Sequence, residues 1–126
     1  MKRNWDVIRE LLAKVEECTL PTDMVRLADF PEERQAEISY HMALLIEAGL
    51  VQGQVVKTIG PEVKDFFAQK LTWSGHELID SIRSDTVWNK TKKVFVEKGV
   101  DMSIDLIKSV AKEAAAGLIK GALGGP

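Results

Sequence analysis

The sequence is poor in cysteine and has no excess of positive charge. Cys18 is the single cysteine, so the chain has no internal disulfide framework. Seventeen basic and nineteen acidic residues give a formal net charge of −2. Proteins that bind nucleic acids usually carry a basic excess, so the overall charge weighs against that kind of partner, although a local basic patch is compatible with it.

Long apolar runs are missing as well. No stretch approaches the roughly 18 consecutive apolar residues that a membrane-spanning helix requires. Charged residues, among them Asp6, Arg9 and Glu10, interrupt the first apolar segment, which predicts that it is not a signal peptide. We therefore expect a cytoplasmic protein that does not enter a membrane.

The composition is that of an ordinary folded protein. Hydrophobic residues make up 45% and charged residues 29% of the 126 positions. A chain of this length fits one domain and buries enough surface for a modest core without disulfides.

Apolar periodicity predicts five helices, over residues 5 to about 18, 31 to about 48, 73 to about 83, 86 to 98 and about 103 to 120. Asn4 is the predicted cap of the first helix and Pro31 the first residue of the second. Ser84 or Asp85 caps the fourth. Gly49 and Gly99 are placed to end the helices that precede them.

Each helix carries one apolar stripe that we expect to be buried. The stripes are Ile8, Leu11, Leu12, Val15 and Cys18; Ile38, His41, Met42 and Leu45; Leu78, Ile79 and Ile82; Val87, Trp88, Thr91, Val94 and Phe95; and Ile104, Ile107, Val110, Ala111, Ala114 and Leu118. We also expect Trp5, Trp73 and Trp88 to lie in the core or at its edge.

Two segments with strand character follow the second helix. Residues 51 to 59 and 66 to 71 flank the turn signal Gly60-Pro61, which predicts a β-hairpin. Residues 24 to 30 fit either a short strand or a turn. Thr72 closes the hairpin and is placed to cap the third helix.

A helix that ends at Gly49 and runs at once into a hairpin is typical of a winged helix. The predicted fold class is therefore mainly α with a small β-hairpin (α+β), a winged helix-turn-helix-like domain with extra C-terminal helices. We expect residues 1–83 to form the winged-helix core. Residues 84–126 form a helical extension, either part of the same compact domain or a dimerisation element.

Three stretches are similar to one family. They are Met1-Lys2-Arg3-Asn4-Trp5-Asp6 with Ile8-Arg9-Glu10-Leu11-Leu12, Tyr40 to Leu50, and Leu71-Thr72-Trp73-Ser74-Gly75-His76-Glu77 with Asp85 to Lys92. Over about residues 1 to 98 the chain resembles the domain of unknown function 2513 family of bacterial and prophage genomes. The resemblance implies a winged-helix fold and a phage or mobile-element setting, and it implies no activity.

DNA binding is one hypothesis for the function, because helix-turn-helix proteins place their second helix in the major groove. The outward face of that helix is predicted to be Ala36, Ser39, Tyr40, Ala43 and Glu47. The predicted DNA contacts are Arg34, Gln35, Ser39, Tyr40, Gln52, Gln54, Lys57, Lys64, Lys90 and Lys93. Four glutamates, Glu32, Glu33, Glu37 and Glu47, outnumber Arg34 on the second helix, which argues against phosphate contact there.

Protein binding is the alternative hypothesis: an adaptor or inhibitor that binds a host or phage protein and not DNA. Tyr40 would then be the contact anchor, because aromatic residues are enriched at interfaces. The small-residue face of the last helix, with Ala111, Ala115 and Leu118, either packs on its own domain or pairs with a second copy. Of these two we favour a homodimer.

Catalysis is not expected. Cys18, His41 and His76 are scattered, without the spacing of a metal site or of an activated nucleophile. We therefore predict no metal, no cofactor and no small-molecule substrate. His41 lies within an apolar stripe and is predicted to be a hydrogen-bonded core histidine.

Overall fold

The computed structural model describes residues 1–56 and 63–122, and it is mainly helical with a small antiparallel sheet. The elements in chain order are α1 (Trp5–Glu16), β1 (Val25–Arg26), α2 (Gln35–Glu47), β2 (Val51–Val56), β3 (Asp65–Leu71), α3 (Trp73–Ile82), α4 (Asp85–Lys98) and α5 (Ile104–Ala122). This arrangement confirms the predicted mainly helical α+β class.

By compactness the chain divides into two units, residues 1–77 and 78–126. The division falls within α3, six residues before the boundary expected from the sequence. The first unit holds α1, α2, the sheet and the first half of α3. The second holds the rest of α3, α4 and α5.

Helix α1 begins where the sequence predicts. The Asn4 side-chain oxygen accepts hydrogen bonds from the backbone N–H groups of Asp6, at 2.9 Å, and Val7, at 3.4 Å. These groups have no partner inside the helix, so the cap stabilises its first turn. The predicted stripe is buried from Ile8 to Val15, whereas Cys18 lies beyond the helix and is only half-buried.

The sequence allowed either a short strand or a turn in the segment between α1 and α2, and the structure contains both. Val25–Arg26 forms β1, and Leu27–Asp29 forms a 3₁₀ turn. The prediction that Pro31 starts the second α-helix is wrong. The backbone N–H of Arg34 bonds to the Pro31 carbonyl at 2.9 Å, so a tighter 3₁₀ turn over Glu32–Arg34 comes first and α2 begins at Gln35.

The exit from α2 directs the chain into the sheet. Gly49 has φ +73°, a left-handed conformation that costs glycine little. The Leu50 N–H bonds to the Leu45 carbonyl at 2.9 Å and the Gly49 N–H to the Ile46 carbonyl at 3.1 Å, which is a Schellman end. Leu50 and all four predicted stripe residues of α2 are buried, as expected.

The sheet order is β1-β3-β2, and all pairings are antiparallel. The β2–β3 pairing confirms the two predicted strands as far as the described residues reach; residues 57–62 lie outside them. Gln52 is opposite Lys70 while Gly53 is opposite Ala68, so Gln69 is the extra residue of a β-bulge. β1 adds a third strand to the predicted pair.

The first turn of α3 is attached to the start of β2. The Thr72 hydroxyl accepts a hydrogen bond from the Gly75 N–H at 3.1 Å, and the Thr72 N–H bonds to the Leu50 carbonyl at 3.1 Å. A Cβ on Gly75 would come within 2.1 Å of the Leu50 carbonyl oxygen. Only glycine therefore fits this close approach of helix and strand.

The second unit matches the predicted helices in extent but not in every buried position. Ser84, not Asp85, caps α4 by accepting from the Val87 N–H, and Gly99 ends it with φ +64°. Val94, at the edge of the stripe, is 38% exposed, so its predicted burial is wrong.

Burial along α5 is narrower than predicted. Of the six stripe residues only Ile107 and Ala111 are buried, and Leu118 is 36% exposed. Helix α5 has 19 residues and α4 has 14. At 1.5 Å per residue α5 is therefore about 7.5 Å longer than α4.

Candidate binding surfaces

The start of α2 carries the one cation that the sequence places there, and that cation is engaged. The Arg34 guanidinium bonds to both carboxylate oxygens of Glu10, at 2.7 and 2.8 Å, and to Glu37 at 2.9 Å. The hydrogen bonds from Arg34 hold the pKa of the Glu10 carboxyl below its ordinary value, and those from Glu10 and Glu37 raise the pKa of Arg34. Arg34 therefore links α1 to the start of α2.

The other residues predicted to contact DNA at this end of α2 also bond within the chain. The Gln35 side-chain amide donates to the Phe30 carbonyl at 3.1 Å. Ser39 is 7% exposed, and its hydroxyl donates to the Lys64 carbonyl at 2.6 Å. The prediction that Ser39 lies on the outward face is wrong, because Ser39 attaches the stretch before β3 to α2.

What remains exposed on α2 is small, aromatic and acidic. Ala36, Tyr40 and Glu47 are exposed, and Ala43 and Leu44 are half-buried beside them. No lysine or arginine occurs between Gln35 and Glu47. We call these five residues the α2 face; Tyr40, 38% exposed, is its only large aromatic group.

The residue beneath Tyr40 is the predicted core histidine. His41 is 1% exposed; its Nε2 accepts from the Asn4 N–H at 2.8 Å, and its Nδ1 lies 2.7 Å from the Glu37 carbonyl oxygen. The Tyr40 ring meets the imidazole edge-on, with centroids 5.4 Å apart. Both ring nitrogens are thus used in the core, which confirms the prediction.

The sheet presents a second, polar surface. Gln52 and Gln54 are exposed on β2, and Lys64 is exposed just before β3. Lys57 lies outside the described residues. The register adds two cations that the sequence analysis missed: Lys70 lies opposite Gln52, and Arg26 lies opposite Phe67, which in turn faces Gln54. Strand alternation predicts their face, but only the three-strand order places them together.

The remaining predicted residues belong to the second unit. Lys90 and Lys93 are exposed on α4, and the Lys93 ammonium is 3.8 Å from the Glu97 carboxylate. Ala111 is buried and Ala115 is half-buried on α5. Self-association through Ala115 and Leu118 stays a prediction.

The tryptophans differ sharply in exposure. Trp5 and Trp88 are buried, as predicted, but Trp73 is 81% exposed, so its predicted place at the core is wrong. It is the first residue of α3 and directly follows the capping Thr72. The sequence motif identifies the cap, but it does not reveal that nothing covers the indole.

Among the described residues, each unit has a cleft on its surface. The first, of about 390 Å³, is lined by Cys18, Thr19, Leu20, Pro21, Gln52, Gln69 and Lys70. Partial burial, followed by the nearby carboxylate of Asp23, raises the pKa of the Cys18 thiol. The second, of about 570 Å³, is lined by Asp80, Ser81, Lys108, Ser109, Ala111, Lys112 and Ala115.

The described part of the chain lacks two kinds of feature. Residues 1–56 and 63–122 contain no cluster of three His, Cys, Asp or Glu side chains arranged to hold a metal ion. Within the same ranges, no helix has the length and apolar character needed to cross a bilayer.

The geometry thus defines a small, mainly helical α+β protein with one apolar-acidic helix face and one polar sheet face. The chain belongs to the family of hypothetical proteins DUF2513, whose model matches residues 2–101. Helix α5 lies outside that match. An uncharacterised protein of Haemophilus influenzae is similar, with 40% identity over 112 residues that cover 89% of this chain and 93% of the relative. No solved structure matches the chain.

Proposed function

We propose that this chain is a winged-helix protein that binds another protein through the α2 face. The winged-helix assignment is supported by the succession of α1, β1, α2, β2 and β3 and by the sheet order β1-β3-β2. In this arrangement α2 is the recognition helix, and the β2–β3 hairpin is the wing.

The main observation in favour of a protein partner is that the Arg34 guanidinium is already bonded to two carboxylates of the same chain. A recognition helix that reads DNA presents cations and amides to phosphates and base edges. Here the guanidinium next to α2 is held by Glu10 and Glu37, and the helix itself contains no lysine or arginine. Freeing Arg34 for phosphate would leave two carboxylates without their partner.

The charge of the first unit supports the same choice. Residues 1–77 contain nine basic and thirteen acidic residues, a net charge of −4. A surface of this sign repels phosphate backbones, whose neutralisation supplies much of the affinity of DNA-binding proteins. Tyr40, set among Ala36 and Ala43, offers an aromatic anchor with flat, small surroundings, a pattern suited to a protein interface.

Duplex DNA is the second candidate, favoured by the polar face of the sheet. Gln52, Gln54, Arg26 and Lys70 share that face, and Lys64 is exposed nearby. Binding would then run through the wing, with α2 facing away from the phosphates. The phage or mobile-element setting stays a prediction in either case.

One experiment separates the two candidates. A photo-crosslinking amino acid is placed at Tyr40 and, as a control, at Leu20, which is 62% exposed in the same unit. We expect a discrete adduct with one protein from the native host at position 40 and none at position 20. Tyr40→Ala should prevent co-purification of that protein while circular dichroism shows that the variant is still folded. Duplex affinity that falls steeply with salt and is lost in Lys64→Glu, with no adduct at position 40, would contradict the protein-binding proposal.

A further inference from the structure

Trp73 is the most exposed large aromatic side chain that the structure describes, with 81% of its surface open to solvent. Folded proteins rarely leave a tryptophan so uncovered, because its ring is the largest apolar surface among the side chains. Tryptophan is also the residue type most enriched among the few that dominate binding energy. Trp73 was expected at the core and belongs neither to the α2 face nor to the polar face of the sheet.

The other two tryptophans of this chain each have a cation next to the indole ring. The Arg3 guanidinium carbon lies 4.6 Å from the ring centroid of Trp5, and the Lys92 ammonium lies 5.5 Å from that of Trp88. Both are cation–π contacts, in which the negative ring face attracts a positive group. No such contact is found for Trp73 anywhere in residues 1–56 and 63–122.

The backbone beneath Trp73 is rigidly supported. Gly75 approaches the Leu50 carbonyl so closely that no side chain fits, and Thr72 bonds to both Gly75 and Leu50. The indole is therefore held out on a turn that is already fixed, so binding there costs little ordering of the backbone.

Helix spacing places one carboxylate on the side of α3 that carries the exposed ring. Glu77 is exposed one helical turn after Trp73, in the i, i+4 relation that places two side chains on the same side of a helix. The Glu16 carboxylate of α1 lies 3.7 Å from His76, the i+3 neighbour of Trp73. A guanidinium stacked on the indole would thus have the Glu77 carboxylate on the same side of α3, in a unit of net charge −4.

We propose that Trp73 and Glu77 form a docking site for an arginine side chain in a basic segment of a partner protein. Arginine suits the site better than lysine because its planar guanidinium stacks on an aromatic face while its edges donate to carboxylates. The site goes beyond the proposed use of the α2 face and does not require it.

The test uses fluorescein-labelled hexa-arginine as the probe and the full chain as the receptor. We expect saturable fluorescence anisotropy that weakens with added salt, and binding about fivefold or more weaker in Trp73→Ala. Trp73→Phe should lie between the two, and Glu77→Gln should also weaken binding. Leu20→Ala, which removes a similarly exposed apolar side chain elsewhere in the unit, should match the wild type.

A second readout uses the intrinsic emission of the protein. Because Trp5 and Trp88 are buried, a shift of tryptophan emission on adding unlabelled hexa-arginine reports mainly on Trp73. Hexa-glutamate should cause no shift.

Three results would overturn the proposal. The first is equal binding of hexa-arginine by Trp73→Ala and wild type, which would make the attraction a diffuse effect of net charge. The second is the absence of saturable binding. The third is an emission shift with neutral phosphatidylcholine vesicles but not with hexa-arginine, which would make Trp73 a membrane-interface residue. Tyr40→Ala should leave peptide binding unchanged. A result that contradicts the arginine site at Trp73 would therefore not contradict the proposed use of the α2 face.

Discussion

The polar contacts described within the two units of this chain differ in how far apart along the sequence their partners lie. In residues 1–77 three of the hydrogen bonds described above join distant positions: Asn4 to His41, Glu10 to Arg34, and Ser39 to Lys64. In residues 78–126 the contacts from Ser84 to Val87, Thr91 to Val87, and Lys93 to Glu97 join positions three or four apart. Polar groups of the first unit thus connect segments that are far apart along the chain, whereas these three contacts of the second unit lie at or within one helix.

The two units differ in charge as well. The first carries −4, whereas the second, with eight basic and six acidic residues, carries +2. A chain that is nearly neutral overall therefore contains regions of opposite sign. Overall net charge is a poor guide to what either region binds.

The largest effect is expected from Gly75→Ala, which tests whether a single close approach supports the first unit. The added Cβ would overlap the Leu50 carbonyl oxygen, so the turn or the strand must move. We expect a loss of about 3 kcal/mol in the free energy of unfolding, measured by urea denaturation with circular dichroism. Ser74→Ala, at the exposed neighbouring position, should change the stability by less than about 0.5 kcal/mol. Equal stability of the two variants would show that the close approach is not required.

A pair of core substitutions tests the contrast between long-range and local bonds. His41→Leu keeps a side chain of similar volume but leaves the Asn4 N–H without its acceptor. The hydrogen bond that joins the N-cap of α1 to α2 is then lost. We expect a loss of about 2 kcal/mol in the same denaturation experiment.

Its partner in the second unit is Thr91→Val. The buried Thr91 hydroxyl only adds a bond to the Val87 carbonyl of the same helix, so the loss should stay below about 1 kcal/mol. A larger loss for Thr91→Val than for His41→Leu would contradict the comparison.

The smallest effect is expected from Arg34→Met, which removes the ion pairs to Glu10 and Glu37 and keeps the apolar stem. All three side chains are more than a third exposed, so the loss at neutral pH should be below about 1 kcal/mol. Arg34 lowers the pKa of folded Glu10 below its ordinary value of 4.5, so this contribution is present above pH 4.5 and is lost as the pH falls through the folded pKa. The stabilities of variant and wild type should therefore converge in acid; a constant difference down to pH 2 would assign the effect to packing.

Much of the fold was predictable because it depends on interactions between residues that are close in sequence. The Asn4 cap, the α2 stripe and the glycine ends at Gly49 and Gly99 all follow from contacts within a few residues. The two longer strands were found by the same means. The 3₁₀ turn at Glu32–Arg34 was missed because proline fits the start of either kind of helix.

The binding surfaces were less predictable because they depend on partners far along the chain. Periodicity places Ser39 on the outward face of a helix and Arg34 near its start, but it does not reveal Glu10 or the Lys64 carbonyl. For the same reason Trp73 was assigned to the core and Leu118 to a buried stripe. A pattern of apolar residues indicates which face of a helix is buried but not how far its neighbours extend.

The amino-acid order alone determined the order of the main helices and strands and the helix ends at Asn4, Gly49 and Gly99, because capping, glycine conformation and side-chain periodicity act over one or two turns. Tertiary structure decided which charges are available and which apolar groups stay uncovered. Those properties depend on distances between segments more than twenty residues apart, as for the engaged Arg34, or on the lack of a neighbour, as for the exposed Trp73.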